Sequence, residues 1–214
     1  MNVLDFDGTS DFLAIQNIFY NSASINGLFI CTVFKTAYSA TSYNSNRSFI
    51  DFDRSEFYDF YIQGNGKLEL SYTAGGSTID APVTAGGTYN DNQRHFACGH
   101  YDNTVVNDTE IYVDGIREYV ANRRATGVKI GKNTTRYGFI GDGSEASSYN
   151  STRNNIYYDG QIGEIIVFDD LTTTAQREEV MCYLSSKRSI ADACDGVGVP
   201  PIATIEYSTT ETTP

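Results

Sequence analysis

A chain of 214 residues, 40% apolar and 20% charged, carries enough hydrophobic material for one substantial core and too much for a disordered polypeptide. Its 27 acidic against 15 basic side chains give a net charge of -12, which repels a phosphate backbone and excludes nucleic acid as the expected partner. Abundant Tyr (16), Thr (22) and Gly (19), with no Trp and four Pro, favour strands and turns over helices.

The chain opens Met1-Asn2-Val3-Leu4 with neither a basic n-region nor an apolar h-region, so no signal peptide is expected. No apolar run is long enough to span a membrane. Alternation predicts strands at 2–6, 11–15, 26–35 and 48–53. Gly64-Asn65-Gly66 then divides Phe57–Ile62 from Lys67–Tyr72 as a hairpin turn does. After a strand at 94–101, Asp114-Gly115 separates Thr109–Val113 from Ile116–Val120, a pair suited to the positive φ of a type I′ turn. Further strands are expected at 136–141 and 156–168. Leu28–Phe34 and Ile162–Phe168 are apolar on both parities, which places them centrally, covered on both faces. One helix is expected at 173–187. Thr173 and Gln176 form its capping box, Val180, Tyr183 and Leu184 its apolar stripe, and Lys187 and Arg188 stand at its negative end. After about residue 190 the composition becomes that of an extended tail (191–214), with Ile202, Ile205 and Tyr207 as anchors for an assembly partner.

Several segments together resemble the laminin-G-like (LamG type 3) domains of the concanavalin A-like lectin and glucanase superfamily. They are Leu4-Asp5-Phe6-Asp7-Gly8 with Asp11-Phe12-Leu13; Leu28 to Lys35, where Val33 replaces the family's Trp; Arg94-His95-Phe96-Ala97; Ile111-Tyr112-Val113-Asp114-Gly115; and Tyr158 to Phe168 with the helix after it. The resemblance implies an all-β, two-sheet antiparallel jelly-roll sandwich over residues 1–190, with one short C-terminal helix. It does not fix a function, because this fold carries lectins, glycosidases and adhesion modules alike.

The Glu-x-Asp-x-Glu strand of the superfamily's glucanases is missing. Its nearest substitute, Asp108-x-Glu110-x-Tyr112-x-Asp114, reads as the solvent side of an amphipathic strand, so no enzyme is expected. His95-x-x-Cys98-x-His100 cannot converge on a metal, because His95 and Cys98 point to opposite faces of a strand. Calcium is the runner-up cofactor, through Asp5, Asp7 and Asp11 or through Asp51 and Asp53, but solvated acidic faces are the favoured reading. The four cysteines match no metal or disulfide framework and read as buried thiols, with Cys182 and Cys194 near enough in sequence to bridge.

Two polar loops have the chemistry of a binding surface. One holds Tyr38, Tyr43, Asn44 and Arg47, the other Tyr149, Asn150, Arg153 and Asn154. Tyr gives flat amphipathic contact with little rotamer entropy to lose, and Asn adapts its hydrogen bonds to a sugar hydroxyl or a protein edge. Three function classes follow, in order: a structural or adhesive interaction module, a glycan-binding lectin module, and a glycosidase. A surface-type domain without a signal peptide is expected on a virion, as a capsid-decoration or tail component, with an extracellular or cell-surface protein as the alternative.

Overall fold

The computed structural model describes residues 2–17, 20–21, 23–41, 46–76, 78–84, 86–105, 109–121 and 125–187. In chain order its strands are β1 (Leu4–Asp7), β2 (Leu13–Ala14), β3 (Tyr20–Asn21), β4 (Gly27–Lys35), β5 (Arg47–Asp51), β6 (Tyr58–Ile62) and β7 (Leu68–Ala74). They continue with β8 (Thr78–Asp80), β9 (Arg94–Asp102), β10 (Thr109–Val113), β11 (Ile116–Ala121), β12 (Thr135–Arg136), β13 (Phe139–Ile140) and β14 (Asp159–Phe168), and helix α1 (Thr174–Ser186) follows. One sheet runs β1-β14-β4-β9-β10-β11 and the other β2-β13-β5-β6-β7-β8, with β3 and β12 paired apart; every pairing is antiparallel. This is the expected jelly-roll sandwich with one short helix.

The both-parity hydrophobicity of β4 has a visible cause. Leu28, Ile30 and Phe34 face the core between the sheets, while Phe29, Cys31 and Val33 face Met181 and Leu184 of α1. Strand β14 is covered less completely: Ile162 is buried, but Val167 and Phe168 at its end are 37% and 41% exposed. Both predicted hairpins form, with Gly66 at φ 82° and Asp114 and Gly115 at 51° and 83°. The short strands β3 and β8 were not anticipated.

The Thr173 capping box is present. The buried face of α1 is rotated from the predicted stripe and includes Arg177, Met181, Cys182, Leu184 and Ser185, with Val180 and Tyr183 only partly buried. Lys187 is the C-cap, and its ammonium reaches Glu164 Oε2 at 2.9 Å. Arg188, the domain boundary near 190 and the tail residues Ile202, Ile205 and Tyr207 lie outside the described residues.

The cysteine reading is corrected. Cys31 and Cys98, register partners on β4 and β9 and 67 residues apart in sequence, form a disulfide. Sequence spacing could not reveal this pair, because only the β4–β9 pairing brings them together. Cys182 is also disulfide-bonded; Cys194 lies outside the described residues.

Gly160, at φ 135° in β14, gives a direct test of the crossing. A Cβ there would stand 2.2 Å from the Lys35 carbonyl oxygen, and backbone cannot yield as a flexible side chain can. Gly160→Ala is expected to destabilise the fold by more than about 2 kcal/mol. An unchanged urea midpoint would contradict this register.

Candidate functional site

The first loop leaves β4 at Lys35 and is pinned at once: Thr36 Oγ1 donates to the Asp159 carbonyl (2.6 Å) and accepts from the Tyr38 amide (2.9 Å). Asn90 Nδ2 donates to the Tyr38 carbonyl at 2.9 Å. The Arg47 guanidinium lies 4.1 Å over the Tyr38 ring, a cation–π pair. Tyr43 and Asn44 lie outside the described residues.

The second loop is a hairpin closed at its base by Asp142, whose Oδ1 accepts from the amides of Gly143 (2.7 Å) and Ile156 (2.8 Å). Ser144 bridges Arg153, and the Asn154 amide donates to the Gly143 carbonyl at 2.9 Å. Arg153 proves to be a scaffold residue. Its guanidinium sits 3.9 Å over Phe12, donates to Asn150 Oδ1 at 3.2 Å, and its Nε lies 3.4 Å from Asp142 Oδ2. Asn150 and Asn155 adopt positive φ (50° and 56°), which Asn tolerates better than most residues. Tyr149, 50% exposed, and the side chains of Asn150 and Asn154 stand at the surface of this hairpin.

The structure thus joins Tyr38 to Arg47 and Asn150 to Arg153. The two loops meet opposite ends of β5: Arg47 begins that strand, and Asp51 at its end accepts from the Ser144 amide at 2.7 Å. Four residue steps of strand put these ends roughly 13 Å apart.

Between them the outer face of the second sheet is polar, a feature that the sequence alone does not announce. Asp51, Asp59 and Ser71 stand in one register row, and Ser48, Tyr61 and Glu69 in the next. All six are buried, so the reading of Asp51 and Asp53 as a solvated acidic face is corrected. Burial pushes the Asp59 carboxyl up to about 8, and burial likewise raises Glu69. Asp59 Oδ1 and Ser71 Oγ make no hydrogen bond. The alternation Tyr58-Asp59-Phe60-Tyr61 carried the signal; what hid it was the assumption that polar parity means solvent.

The remaining motifs resolve on geometry. His95 lies on the inner side beside Phe34 and holds Asp114 Oδ2 at 2.7 Å, whereas Cys98 faces α1, as their opposite parity required. Glu110 is not on a solvent face: it is 8% exposed and lies among His100, Arg117 and Arg177, because α1 covers this end of β10. Asp108 lies outside the described residues. Asp7 accepts from the amides of Thr9, Ser10 and Asp11, which makes it a turn residue. Asp53, Glu56 and Glu145 bring carboxylates within 4.8 Å of one another. Arg136, on both Asp53 and Glu56, and Lys132 on Glu56 already supply the positive charge there.

No family model matches the sequence, and no curated protein matches it. Solved structures do match in shape. A heptameric SAP-like pentraxin from Limulus polyphemus aligns with a TM-score of 0.56 at 17% identity, over 84% of this chain and 81% of that one. The CBM40 module of a Ruminococcus gnavus IT-sialidase, bound to α2,3-sialyllactose, gives 0.52 at 12% identity over 85% and 97%. The binding domain of Botulinum neurotoxin serotype D gives 0.57 at 10% identity, over 87% of this chain and 42% of that one. At these identities the likeness establishes the jelly-roll fold.

Proposed function

We propose that the chain is a non-catalytic glycan-binding module that presents Tyr149, Asn150 and Asn154 from the 143–155 hairpin, with Tyr38 and Arg47 at the far end of β5 from it. The observation that carries this reading is the half-exposed Tyr149 on a hairpin whose base is already fixed by Asp142 and Arg153. Little ordering entropy is left to lose on binding, and a tyrosine face with adjacent amides suits a sugar ring and its hydroxyls. The fold shared with the sialyllactose-bound module supports the same class.

A hydrolytic reading gains little from the acidic face. Asp51 and Asp59 are cross-strand neighbours, at Cβ separations of about 5 Å for such pairs. Yet Asp51 Oδ1 and Oδ2 accept from the Asp53 and Ser144 amides, and Asp59 is 7% exposed, so neither meets substrate as a free nucleophile or acid. The Cys31–Cys98 disulfide favours an extracellular or cell-surface setting over a particle assembled in a reducing cytoplasm. No described helix is long and apolar enough to cross a membrane.

On an array that includes sialylated and neutral glycans, the wild type is expected to bind at least one. Tyr149→Ala should weaken that binding about tenfold. Its Tm should stay within about 2 °C, since an exposed loop side chain contributes little to the core. Equal binding by the variant removes the hairpin from the site.

A further inference from the structure

Beneath the N-terminal end of α1 lies a cavity of about 440 Å³, within the size range of small-molecule sites. It opens on the outer side of the first sheet, whereas the 143–155 hairpin is tied to the second. Its floor is His100, Glu110 and Arg177, all buried, and Asp102 and Thr172 stand beside them. Val105 and Leu171, each 42% exposed, make an apolar rim.

Arg177 fixes the state of the floor. Its Nη1 donates to the Thr172 carbonyl at 2.7 Å and lies 3.2 Å from His100 Nε2. A guanidinium only donates, so Nε2 accepts and the imidazole is the neutral tautomer with its proton on Nδ1. That Nδ1 stands 3.5 Å from Glu110 Oε2 without a hydrogen bond, and Thr172 Oγ1 makes none either. Buried polar groups are rarely left in this state. Burial acts to raise Glu110, but the hydrogen bonds it accepts from Tyr112 Oη (2.9 Å) and Arg117 Nη1 (3.2 Å) outweigh this and hold its carboxyl below the ordinary value, so it is ionised.

The cavity wall carries two carboxylates, Glu110 and Asp102, and one guanidinium, Arg177, while a second guanidinium, Arg117, reaches Glu110 at 3.2 Å from outside the lining. An added anion would meet two carboxylates and an added cation would meet the guanidinium. What fits is a neutral molecule whose groups both donate and accept. We propose that this cavity binds a neutral polyhydroxylated ligand of monosaccharide size. Its hydroxyls donate to Glu110 and Asp102 and accept from Arg177 and the threonine hydroxyls, and its C–H face rests on Val105 and Leu171. This site stands independently of the hairpin.

The test is a titration of the His100 imidazole NMR signals with glucose, galactose, mannose and N-acetylglucosamine, and separately with inorganic phosphate. At least one sugar should shift those signals saturably. Thr172→Val should weaken the effect about tenfold, and Tyr149→Ala should leave it unchanged. Thr174→Val, at an exposed helix position whose hydroxyl lies 3.3 Å from Arg177 Nη2, serves if the first variant does not fold. Silence from all four sugars, a response to phosphate alone, or undiminished binding by the threonine variant would overturn the proposal. Sugar-induced shifts confined to the 143–155 hairpin would overturn it too, while leaving the hairpin reading intact.

Discussion

Replacing Cys31 and Cys98 together by alanine is expected to lower Tm by roughly 8–16 °C. The disulfide joins register partners on β4 and β9 that are 67 residues apart in sequence. Closing a loop of that length removes about 4 kcal/mol of chain entropy from the unfolded state. For a domain of this size each kcal/mol moves Tm by about 2–4 °C. Both cysteines also pack beneath Met181 and Leu184, so the two lost sulfurs loosen the seat of α1. Thermal melts with and without reductant separate this bridge from that of Cys182: the double variant retains the latter, and its remaining response to reductant measures it. A drop of less than about 3 °C would show that the β4–β9 link contributes little.

The second large effect is on pH dependence. Asp59 has a pKa raised by burial to about 8, against 3.8 for the ordinary group, so between these values the folded protein keeps a proton that the unfolded chain loses. Stability from this group is complete below pH 4 or so and drains away as pH rises through 8. His95 works in the same direction. Burial lowers its pKa, but the bonds to Asp114 and Asp91 prevail and raise it, so its contribution is also lost as pH rises above its ordinary 6.5. Glu110, depressed to about 2 from 4.5, keeps its full contribution above pH 4.5 and loses it only as pH falls through 2, so it adds no slope in this range. Wild-type Tm should thus fall between pH 5 and pH 8.5. Asp59→Asn, neutral throughout, should flatten that slope, with a Tm about 5 °C above wild type at the alkaline end. Parallel curves for the two proteins would mean that Asp59 is ionised and stabilised in a way the buried row does not show.

Local chemistry made much of the fold legible. Gly64-Asn65-Gly66 and Asp114-Gly115 specify their turns through positive φ, and Thr173 with Gln176 sets the helix start, so these elements stand where the residues placed them. What the sequence hid is non-local. Strands of two or three residues such as β3 and β8 carry too few alternations to register. The Cys31–Cys98 bond exists only because β4 lies beside β9, and Glu110 is buried only because α1 returns across the first sheet. The same cause accounts for the acidic row on the second sheet: Asp51 and Asp53 read in sequence as a solvated acidic face, and no periodicity reports that this face is covered. Within the loops, residue type pointed to Tyr149, but only the fold shows that Arg153 is occupied by Phe12, Asn150 and Asp142.

The central claim, a glycan site on the 143–155 hairpin, is tested most directly by backbone chemical-shift mapping of the intact chain with the strongest glycan from the array. The account predicts saturable shifts concentrated at Tyr149, Asn150 and Asn154 and extending to Tyr38 and Arg47, with the glycan recovered intact. Shifts confined to other surfaces, or cleavage of the glycan during the titration, would contradict it.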